Sequence, residues 1–315
     1  FPAERGTPVM RRWLFLLAAA LILPVPAWAT DVLTLGVLSY RPKEVMQRTW
    51  QPLADYLTQA VPDHEVRLRV LNPAEMEGAL QRHELDFVFT NPAHYIKLRS
   101  GNLLSGALAT LVRAEQGHIV PAIGGVMIVR DDRADITQLR DLYGKRVATP
   151  APSFLGGFVS QAYEIVDAGL DLGRIRFESS AQLHDRIVDA VLKGEVDAGF
   201  VRTGVLEDLA REGRTDLSQL RVLNRQELPG FPYAVSTRLY PEWPLIALPQ
   251  VDSEIARLIA ARLLSLEAED PAARAAGIHG FAIPADYAPV ESAMRSLRAP
   301  PFDQQVGRAE SRAHI

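Results

Sequence analysis

Residues 84–95 read ELDFVFTNPAHY, and residues 195–206 read EVDAGFVRTGVL. Each stretch is a short apolar run, then a polar turn, then the start of an amphipathic segment, which is the order of a βα unit. Asp86 and Asp197 occupy equivalent positions, where we expect structural hydrogen bonds at strand starts. Two interpretations are open: two ordinary βα units that are alike by coincidence, or an internal repeat that builds two similar lobes facing each other.

The same alternation extends on both sides of these units, from Asp31 to about residue 300. It predicts an α/β fold with a mostly parallel sheet. The predicted strands are 32–38, 65–71, 85–89, 125–130, 146–149, 175–178, 196–201 and 234–237. The predicted helices are 43–60, 73–82, 92–99, 139–142, 158–168, 181–193, 204–212, 253–266 and 289–297, with Ser180 and Thr203 capping the helices that follow them.

The order of these elements predicts two βα lobes. Lobe 1 comprises residues 31–124 and 235–300, and lobe 2 comprises residues 125–234. The chain then passes between the lobes twice, near residues 119–127 and 222–235. Such a pair of crossings makes a hinge, with the ligand cleft between the lobes.

The N-terminal residues predict export. Residues 10–29 read MRRWLFLLAAALILPVPAWA, in which two arginines, an apolar run and a small-x-small motif form the pattern of a signal peptide cleaved near Ala29. We therefore expect a periplasmic protein, and no later stretch is apolar for the roughly 18 residues that a membrane span needs. Residues 1–9 are interpreted as upstream sequence or a fragment edge, and residues 301–315 as a disordered tail.

The composition excludes several functional classes. A formal net charge of −4 gives no basic surface for nucleic acid. The absence of cysteine excludes disulfides, thiolate metal sites and cysteine nucleophiles. The seven histidines are too scattered for a metal site, and neither Gly-x-Ser-x-Gly nor His-Glu-x-x-His occurs. We predict a binding protein without catalytic residues, metal or cofactor.

Candidate site residues lie in strand-to-helix turns. Ligands of open α/β sheets bind beyond the carboxyl ends of the strands, where helix N-termini offer free N–H groups to anions. The turn PSFLGG at residues 152–157 places Ser153 as a predicted cap, beside Phe154, ahead of small residues that let a bound group approach the backbone. It suits phosphonate, phosphate, sulfonate or carboxylate oxygens. The alternative is a plain capped helix.

Two other turns contribute polar side chains. Tyr40 follows the first strand, and Asn91 caps the helix that carries Tyr95 after the third strand. The two phenols are candidate hydrogen-bond donors to a ligand. Half-buried packing is the alternative for a tyrosine in a first helical turn.

His184 and Arg202 complete the candidate set. His184 lies near the start of a predicted helix, where a neutral imidazole donating one hydrogen bond is favoured over a cation. Arg202 offers bidentate contact with an acidic ligand. The alternatives are a solvent-facing or packing histidine, and a surface arginine paired with Glu207 or Asp208.

Five stretches carry a family resemblance: SYRP at 39–42, LDFVFTNPAHY at 85–95, GKRVATPAPS at 144–153, VLKGEVDAG at 191–199 and FAIP at 281–284. Their order and spacing resemble the PhnD-type phosphonate-binding family, which has the type II periplasmic binding protein fold. The resemblance implies ligand contacts at Tyr40, Tyr95, Ser153 and His184. The chain departs from the family pattern at Phe154, where a second hydroxyl residue is common, and in the turn at residues 91–95.

The C-terminal part carries a second resemblance. The stretches IPADYAPV at 283–290 and LRAPPF at 297–302 are similar to the end of the sensor regions of tetrathionate-type histidine kinases. Three functions follow as expectations. The first is a protein that captures a small oxyanion for an ABC permease, the second is the ligand-sensing domain of a two-component kinase, and the third is a cleft enzyme.

Overall fold

The computed structural model describes residues 30–304, except residues 102, 103, 105 and 180–182. The predicted signal peptide with its cleavage site near Ala29, residues 1–9 and Ser180 lie outside the described residues, as do residues 305–315 of the predicted tail. Of the tail residues that are described, Phe302 packs under the guanidinium of Arg295. None of the helices described here has the length and apolarity of a membrane span.

The strands are β1 Asp31–Leu38, β2 His64–Leu71, β3 Phe87–Phe89, β4 Ala107–Glu115, β5 His118–Val120, β6 Ala122–Ile123, β7 Gly125–Arg130, β8 Arg146–Ala148, β9 Arg176–Glu178, β10 Ala198–Arg202, β11 Leu220–Leu223, β12 Tyr240–Pro241, β13 Pro244–Ala247 and β14 Ile278–Ala282. The α-helices are α1 Lys43–Thr58, α2 Pro73–Gln81, α3 Pro92–Ser100, α4 Ser160–Asp167, α5 His184–Leu192, α6 Val205–Arg211, α7 Ser253–Leu264, α8 Pro271–Ala276 and α9 Ala288–Leu297. A π-helical turn at Leu155–Val159 runs directly into α4, and 3-10 turns occupy Leu139–Leu142, Leu172–Arg174 and Leu217–Gln219.

The first sheet has the strand order β14-β4-β13-β3-β1-β2, with β5 paired to β4. β1 is parallel to β2 and β3, whereas β13 is antiparallel to both β3 and β4. Leu35, Val37 and Leu38 of β1 are fully buried, on both faces of the sheet, as is typical of a parallel strand covered by helices. The C-terminal segment returns to this sheet through β13 and β14.

The second sheet has the order β11-β7-β10-β8-β9 and takes all its strands from residues 125–223. β10 is parallel to β8 and antiparallel to β7. We call the first sheet and its helices lobe 1 and the second lobe 2. The lobe boundaries at residues 124/125 and 234/235 stay predictions.

The two chain crossings between the lobes run side by side. β6 and β12 form a short antiparallel ladder between them. The hydroxyl of Ser236 accepts from the N–H of Met127 at 2.9 Å, and that of Thr237 accepts from the N–H of Gly125 at 2.9 Å. The strand predicted at 234–237 is therefore wrong, because side-chain hydroxyls satisfy these N–H groups in place of a backbone ladder.

Two predicted helix caps are also wrong. α6 begins at Val205 with Gly204 at its N-cap, and the hydroxyl of Thr203 accepts instead from the N–H of Gly124 at 3.2 Å. α5 begins at His184 with Leu183 at its N-cap, three residues later than a cap at Ser180 requires. For Thr203, a contact made in three dimensions takes precedence over the local capping preference.

An aromatic cluster in lobe 1 holds the end of β3 in place. The ring of Phe89 lies 4.9 Å from Trp50, 5.4 Å from Trp243 and 5.9 Å from Phe281, measured between centroids. Trp50 belongs to α1, Trp243 directly precedes β13, and Phe281 belongs to β14. Because Phe89 is the last residue of β3, the cluster also fixes where the following turn, with Asn91, projects.

The two βα units quoted at the outset share one hydrogen-bond pattern. In lobe 1, Asp86 donates its N–H to the carbonyl of Thr34 at 2.9 Å, and its carboxylate accepts from the N–H of Thr34 at 2.8 Å. In lobe 2, Asp197 donates to the carbonyl of Arg146 at 2.9 Å and accepts from its N–H at 2.8 Å. Both aspartates thus extend a parallel pairing before their strand begins, as expected.

We predict that Asp86→Ala lowers the free energy of unfolding by about 1 to 3 kcal/mol, because the N–H of Thr34 loses its acceptor. Asp197→Ala should cost less, since its bond lies at the surface. Urea denaturation measures both. The control is Asp55→Ala, an exposed carboxylate on α1, with an effect within about 0.5 kcal/mol. An Asp86→Ala protein as stable as wild type would contradict the assignment.

Candidate functional site between the two lobes

One side-chain oxygen joins the two lobes. Asn91 is the N-cap of α3, and its Oδ1 accepts from the N–H of Ala93 at 3.0 Å and of His94 at 3.3 Å. The same oxygen accepts from the N–H of Leu155, the first residue of the lobe 2 helix, at 3.0 Å. The amide ends of two helices, one from each lobe, therefore converge within hydrogen-bond distance of a single oxygen.

The start of the lobe 2 helix differs from the predicted one. Phe154 is its N-cap and makes no side-chain capping bond, so Ser153 is not the cap, and Asn91 supplies the acceptor from the opposite lobe. A Cβ on Gly157 would lie 2.3 Å from Cγ of Pro150 and 3.2 Å from Cε1 of His184. Glycine is needed here because the helix start packs directly against the ring of Pro150, and His184 lies next to it.

His184 presents one unused donor to this region. Its Nδ1 accepts from the N–H of Arg202 at 3.1 Å, so the proton of the neutral ring is on Nε2, which is buried and has no partner among the described residues. Burial, together with the charge of Arg202, lowers the pKa of His184 to about 3. The imidazole is fully buried, which excludes the solvent-facing alternative.

Aromatic rings enclose His184. The ring of Tyr40 lies 5.5 Å away and that of Phe154 lies 5.6 Å away. The backbone carbonyl of Tyr40 also accepts from the N–H of His184 at 2.9 Å, across the lobes. The structure therefore brings together five of the seven predicted site residues: Tyr40, Asn91, Phe154, His184 and Arg202.

Arg202 is buried and paired, but not with the partners that the sequence offered. Its guanidinium forms an ion pair with the buried Glu242, and its Nε donates to the carbonyl of Thr203 at 3.0 Å. The alternative of a surface arginine paired with Glu207 or Asp208 is wrong. The guanidinium also lies 5.5 Å from the ring centroid of Tyr40.

Tyr95 and Ser153 are placed differently. The ring of Tyr95 packs against Tyr287 at 5.5 Å and lies 5.3 Å from the guanidinium carbon of Arg99. Ser153 is partly exposed. No hydrogen bond or ring contact between described residues joins either side chain to the other five, and their contact with a ligand stays a prediction.

Sequence reasoning missed several polar groups near this region. Thr149 follows β8 directly, and its hydroxyl is buried without a partner within the described residues, as is the Nδ2 of Asn91. A hydroxyl at the carboxyl end of a strand was the available signal for Thr149. Trp50, Trp243 and Arg113 also carry buried N–H groups that have no acceptor among the described residues. No local sequence pattern marks these three donors.

Ion pairs hold the lobes together. Arg41 of lobe 1 is buried and donates to both carboxylate oxygens of Asp185, at 2.9 and 3.0 Å, and of Glu212, at 2.7 and 2.8 Å, in lobe 2. Arg214 reaches Asp185 at 2.6 Å. The bidentate geometry makes these strong charge-assisted bonds.

Two further ion pairs cross the same gap. Arg113 of β4 lies 3.3 Å from Asp208, and Glu115 of β4 accepts from Arg211 at 2.7 Å. The lobes are thus closed against each other along one edge of the cleft.

A cavity of about 510 Å³ lies between the lobes beside these ion pairs. Its lining includes aromatic rings, five arginines and three carboxylates, namely Tyr40, Trp50, Trp243, Arg41, Arg113, Arg202, Arg211, Arg274, Glu115, Asp208 and Glu212. No cluster of acidic or histidine side chains suited to a metal ion occurs among the residues described. The site is built from hydrogen-bond donors and cations.

Comparison with known families identifies this arrangement. Residues 35–288 match the profile of the family described as ABC transporter, phosphonate, periplasmic substrate-binding protein. The chain belongs to this phosphonate-binding family. Membership confirms the resemblance given by the sequence motifs, and it implies an extracytoplasmic location for the domain.

Two relatives extend the comparison. The tetrathionate sensor histidine kinase TtrS of Salmonella typhimurium is 32% identical over 306 residues, which is 96% of this chain and 49% of the kinase. The phosphate-import protein PhnD of Mycolicibacterium smegmatis is 21% identical over 221 residues, 67% of this chain and 68% of that protein. The chain thus spans about half the length of the kinase that it resembles.

A solved structure confirms the fold. PhnD1 from Prochlorococcus marinus, in complex with methylphosphonate, superposes with a TM-score of 0.68 at 15% identity, covering 85% of this chain and 99% of that one. The predicted α/β class and type II periplasmic binding protein architecture are therefore correct. The family consists of substrate-binding proteins, and this neighbour binds methylphosphonate.

We predict that His184 makes stability depend on pH. Its folded pKa of about 3 lies below the ordinary 6.5, so the unfolded chain binds one more proton between these values and stability falls as the pH falls through this window. The loss from pH 7 to pH 5 should be about 2 kcal/mol, and His184→Gln should lack it.

Urea denaturation of both proteins at pH 7 and pH 5 measures this difference. Arg41, Asp185 and Arg202, whose charges act on His184, are unchanged in the variant. His94 is also buried with a lowered pKa, but its contribution is common to both proteins. His279→Gln, at an exposed histidine, is the control. An identical pH dependence in wild type and His184→Gln would contradict the assignment.

Proposed function

We propose that this domain captures a small oxyanion, such as a phosphonate, phosphite or phosphate, between its lobes and presents it to an ABC permease. The observation that carries the proposal is the convergence of N–H groups from two helix N-termini on the Oδ1 of Asn91. Helix N-termini favour anions through their free N–H groups and the helix dipole. The carboxamide oxygen plays the acceptor role that a ligand oxygen would take.

The surrounding groups support the same chemistry. The Nδ2 of Asn91, the hydroxyl of Thr149 and the Nε2 of His184 are buried without partners among the described residues. Buried polar groups are normally hydrogen-bonded, and those that are not call for an explanation. We propose these three donors as candidates to bond the oxyanion. The proposed ligand contacts remain Tyr40, Asn91, Tyr95, Ser153, Phe154, His184 and Arg202.

The same geometry favours binding over turnover. A general base needs a free lone pair and a pKa near the working pH. The Nδ1 of His184 is occupied by the N–H of Arg202, and its pKa of about 3 keeps the ring neutral. Its Nε2 can only donate. We therefore propose that the cleft holds its ligand without transforming it.

Delivery is also part of the proposal. A signal peptide at residues 10–29, cleaved near Ala29, would bring the domain to the periplasm. The ion pairs of Arg41 with Asp185 and Glu212 form only when the lobes meet. They would give the closed domain a shape that a permease can distinguish from the open one.

We predict that isothermal titration calorimetry detects binding of at least one of methylphosphonate, phosphite, phosphate, methanesulfonate and tetrathionate. Asn91→Ala and His184→Ala should each weaken that affinity by about 1 to 3 kcal/mol, because each removes a donor to a charged ligand. Folded protein that binds none of these anions would refute the proposed function. Unchanged affinity in both variants would place the ligand elsewhere.

The matched control is Asn72→Ala. Asn72 caps α2 through the N–H of Glu75 at 2.8 Å, as Asn91 caps α3, but no hydrogen bond between described residues links it to lobe 2. It should lose about 1 kcal/mol of stability and keep wild-type affinity. The control thereby separates the loss of a helix cap from the loss of a ligand contact.

A second candidate function is ligand sensing for a two-component kinase. The tetrathionate sensor kinase favours this function, because it is 32% identical over 96% of this chain. The phosphate-import protein is less similar, with 21% identity over 67% of this chain. Both functions need the same oxyanion cleft. They differ in the partner protein that responds when the cleft closes. In this case the partner would be a kinase domain, with tetrathionate among the ligands to test.

The two functions predict different effects of deleting the gene and of mutating Asn91. In a transporter, deleting the gene should abolish uptake of the anion that calorimetry identifies. In a sensor, autophosphorylation of the full natural protein in membranes should change with that anion, and Asn91→Ala should shift the response to higher concentration. Uptake that persists after deletion, together with ligand-dependent phosphorylation, would overturn the transport role.

A further inference from the structure

The C-terminal helix α9 packs against both lobes. It lies against α3 of lobe 1 and against the π-helical turn and α4 of lobe 2. These are the two helices whose first N–H groups converge on the Oδ1 of Asn91. A change in the angle between the lobes therefore changes the surface on which α9 rests.

The polar contacts of α9 lie near its start. Tyr287, its N-cap, is buried, and its hydroxyl donates to the backbone carbonyl of Glu242 at 2.7 Å and lies 2.9 Å from the hydroxyl of Thr110 of β4. Glu291, in the first turn of α9, forms an ion pair of 3.2 Å with Arg99 of α3. The first turn of α9 is thus held to lobe 1 by directional contacts.

The contact of α9 with lobe 2 is of a different kind. The buried residues of the helix are Val290, Ala293 and Met294, and no hydrogen bond or ion pair between described residues joins the helix to lobe 2. Apolar packing is non-directional and is lost when the surfaces separate. Separation of the lobes would therefore remove one side of the support of α9 and leave the helix held at its start.

A chain of contacts joins the start of α9 to His184. The hydroxyl of Tyr287 donates to the backbone of Glu242, whose carboxylate pairs with Arg202 of lobe 2. The backbone N–H of Arg202 donates to the Nδ1 of His184 at 3.1 Å. These links pass from α9 to the segment before β13, then to β10 and to α5. The start of α9 is thereby connected to the imidazole in the cleft.

The segment after α9 is tied to the end of the helix. The N–H of Ala299 donates to the carbonyl of Met294 at 2.9 Å, and the N–H of Phe302 donates to the carbonyl of Ala299 at 2.7 Å. The ring centroid of Phe302 lies 4.1 Å from the guanidinium carbon of Arg295. A displacement of the C-terminal half of α9 would therefore carry this segment with it.

We propose that α9 passes the state of the cleft to the C-terminal end of the domain. When the lobes close on an oxyanion, α9 packs against both of them and its C-terminal half becomes ordered. When the lobes separate, that half of the helix loosens. The inference rests on the proposed function, because binding of the oxyanion is what holds the lobes closed. It assigns α9 as the element at which a partner detects closure.

Amide hydrogen exchange, measured by mass spectrometry, tests the inference on the wild-type protein. The probes are methylphosphonate, phosphite, phosphate, methanesulfonate and tetrathionate, and calorimetry identifies which of them bind. At saturating concentration, an anion that binds should slow exchange in the C-terminal half of α9 at least about fivefold, the effect of about one hydrogen bond on local opening. The internal control is α7, which packs against α1, β4 and β14 of lobe 1 and should keep its exchange rate.

Tyr287→Phe breaks the first link of the chain. It removes the hydroxyl that bonds Glu242 and keeps the ring against Tyr95, and it should reduce the slowing in α9 to about twofold or less. The matched control is Tyr56→Phe, which makes the same change where a hydroxyl of α1 donates to the carbonyl of Arg262 in α7 at 2.9 Å. This control should keep the full slowing in α9.

The outcomes separate the inference from the proposed function. An anion that binds without slowing exchange in α9, or that slows α7 equally, would overturn the inference and leave the proposed function standing. This result needs only the wild-type protein and does not depend on the folding of a variant. Slowing that persists in Tyr287→Phe, or that is also lost in Tyr56→Phe, would overturn the coupling through Tyr287 and the inference with it. Failure of every anion to bind folded protein would instead remove the proposed function.

Discussion

The structure of the cleft depends on one acceptor oxygen shared by two helix ends. The Oδ1 of Asn91 receives N–H groups from α3 and from the start of the lobe 2 helix. The position of Asn91 is fixed by the preceding strand, because Phe89 is the last residue of β3 and packs inside a cluster of aromatic rings. A shift of the cluster would move the turn that carries Asn91, and a shift of either lobe would break its bond to Leu155.

Charge pairing is the second constraint on the closed arrangement. Burial acts to raise the pKa of Asp185, but hydrogen bonds from Arg41 and Arg214 outweigh it and hold the pKa below its ordinary value. Removing one partner of such a buried pair is costly because the other charge is left uncompensated. The ion pairs therefore allow only one alignment of the facing edges of the lobes. This holds whatever the pairs contribute to the free energy of unfolding.

Neutral and charged groups occupy different parts of the cleft. Near the helix N-termini, the donors are amides, a hydroxyl and the neutral ring of His184, whereas the adjoining cavity is lined by arginines and indoles. In the proposed function, an anion that extends across both parts would meet neutral donors in one and cations in the other. That property would serve a transporter and a sensor equally, since both respond to closure of the lobes around the bound anion.

The sequence by itself determined the α/β class, the βα units with the paired roles of Asp86 and Asp197, and the helix cap at Asn91, because periodicity and capping are local. Strands β4, β13 and β14 were not predicted, since their antiparallel pairs join segments far apart in the chain. Only the tertiary structure decided that Asn91 caps the opposite lobe, that Arg202 pairs with Glu242 and that Trp50, Trp243 and Arg113 share a cavity. The physical reason is that each of these contacts joins residues from separate elements, whose distance is set by the packing of the lobes and leaves no periodic trace in the chain.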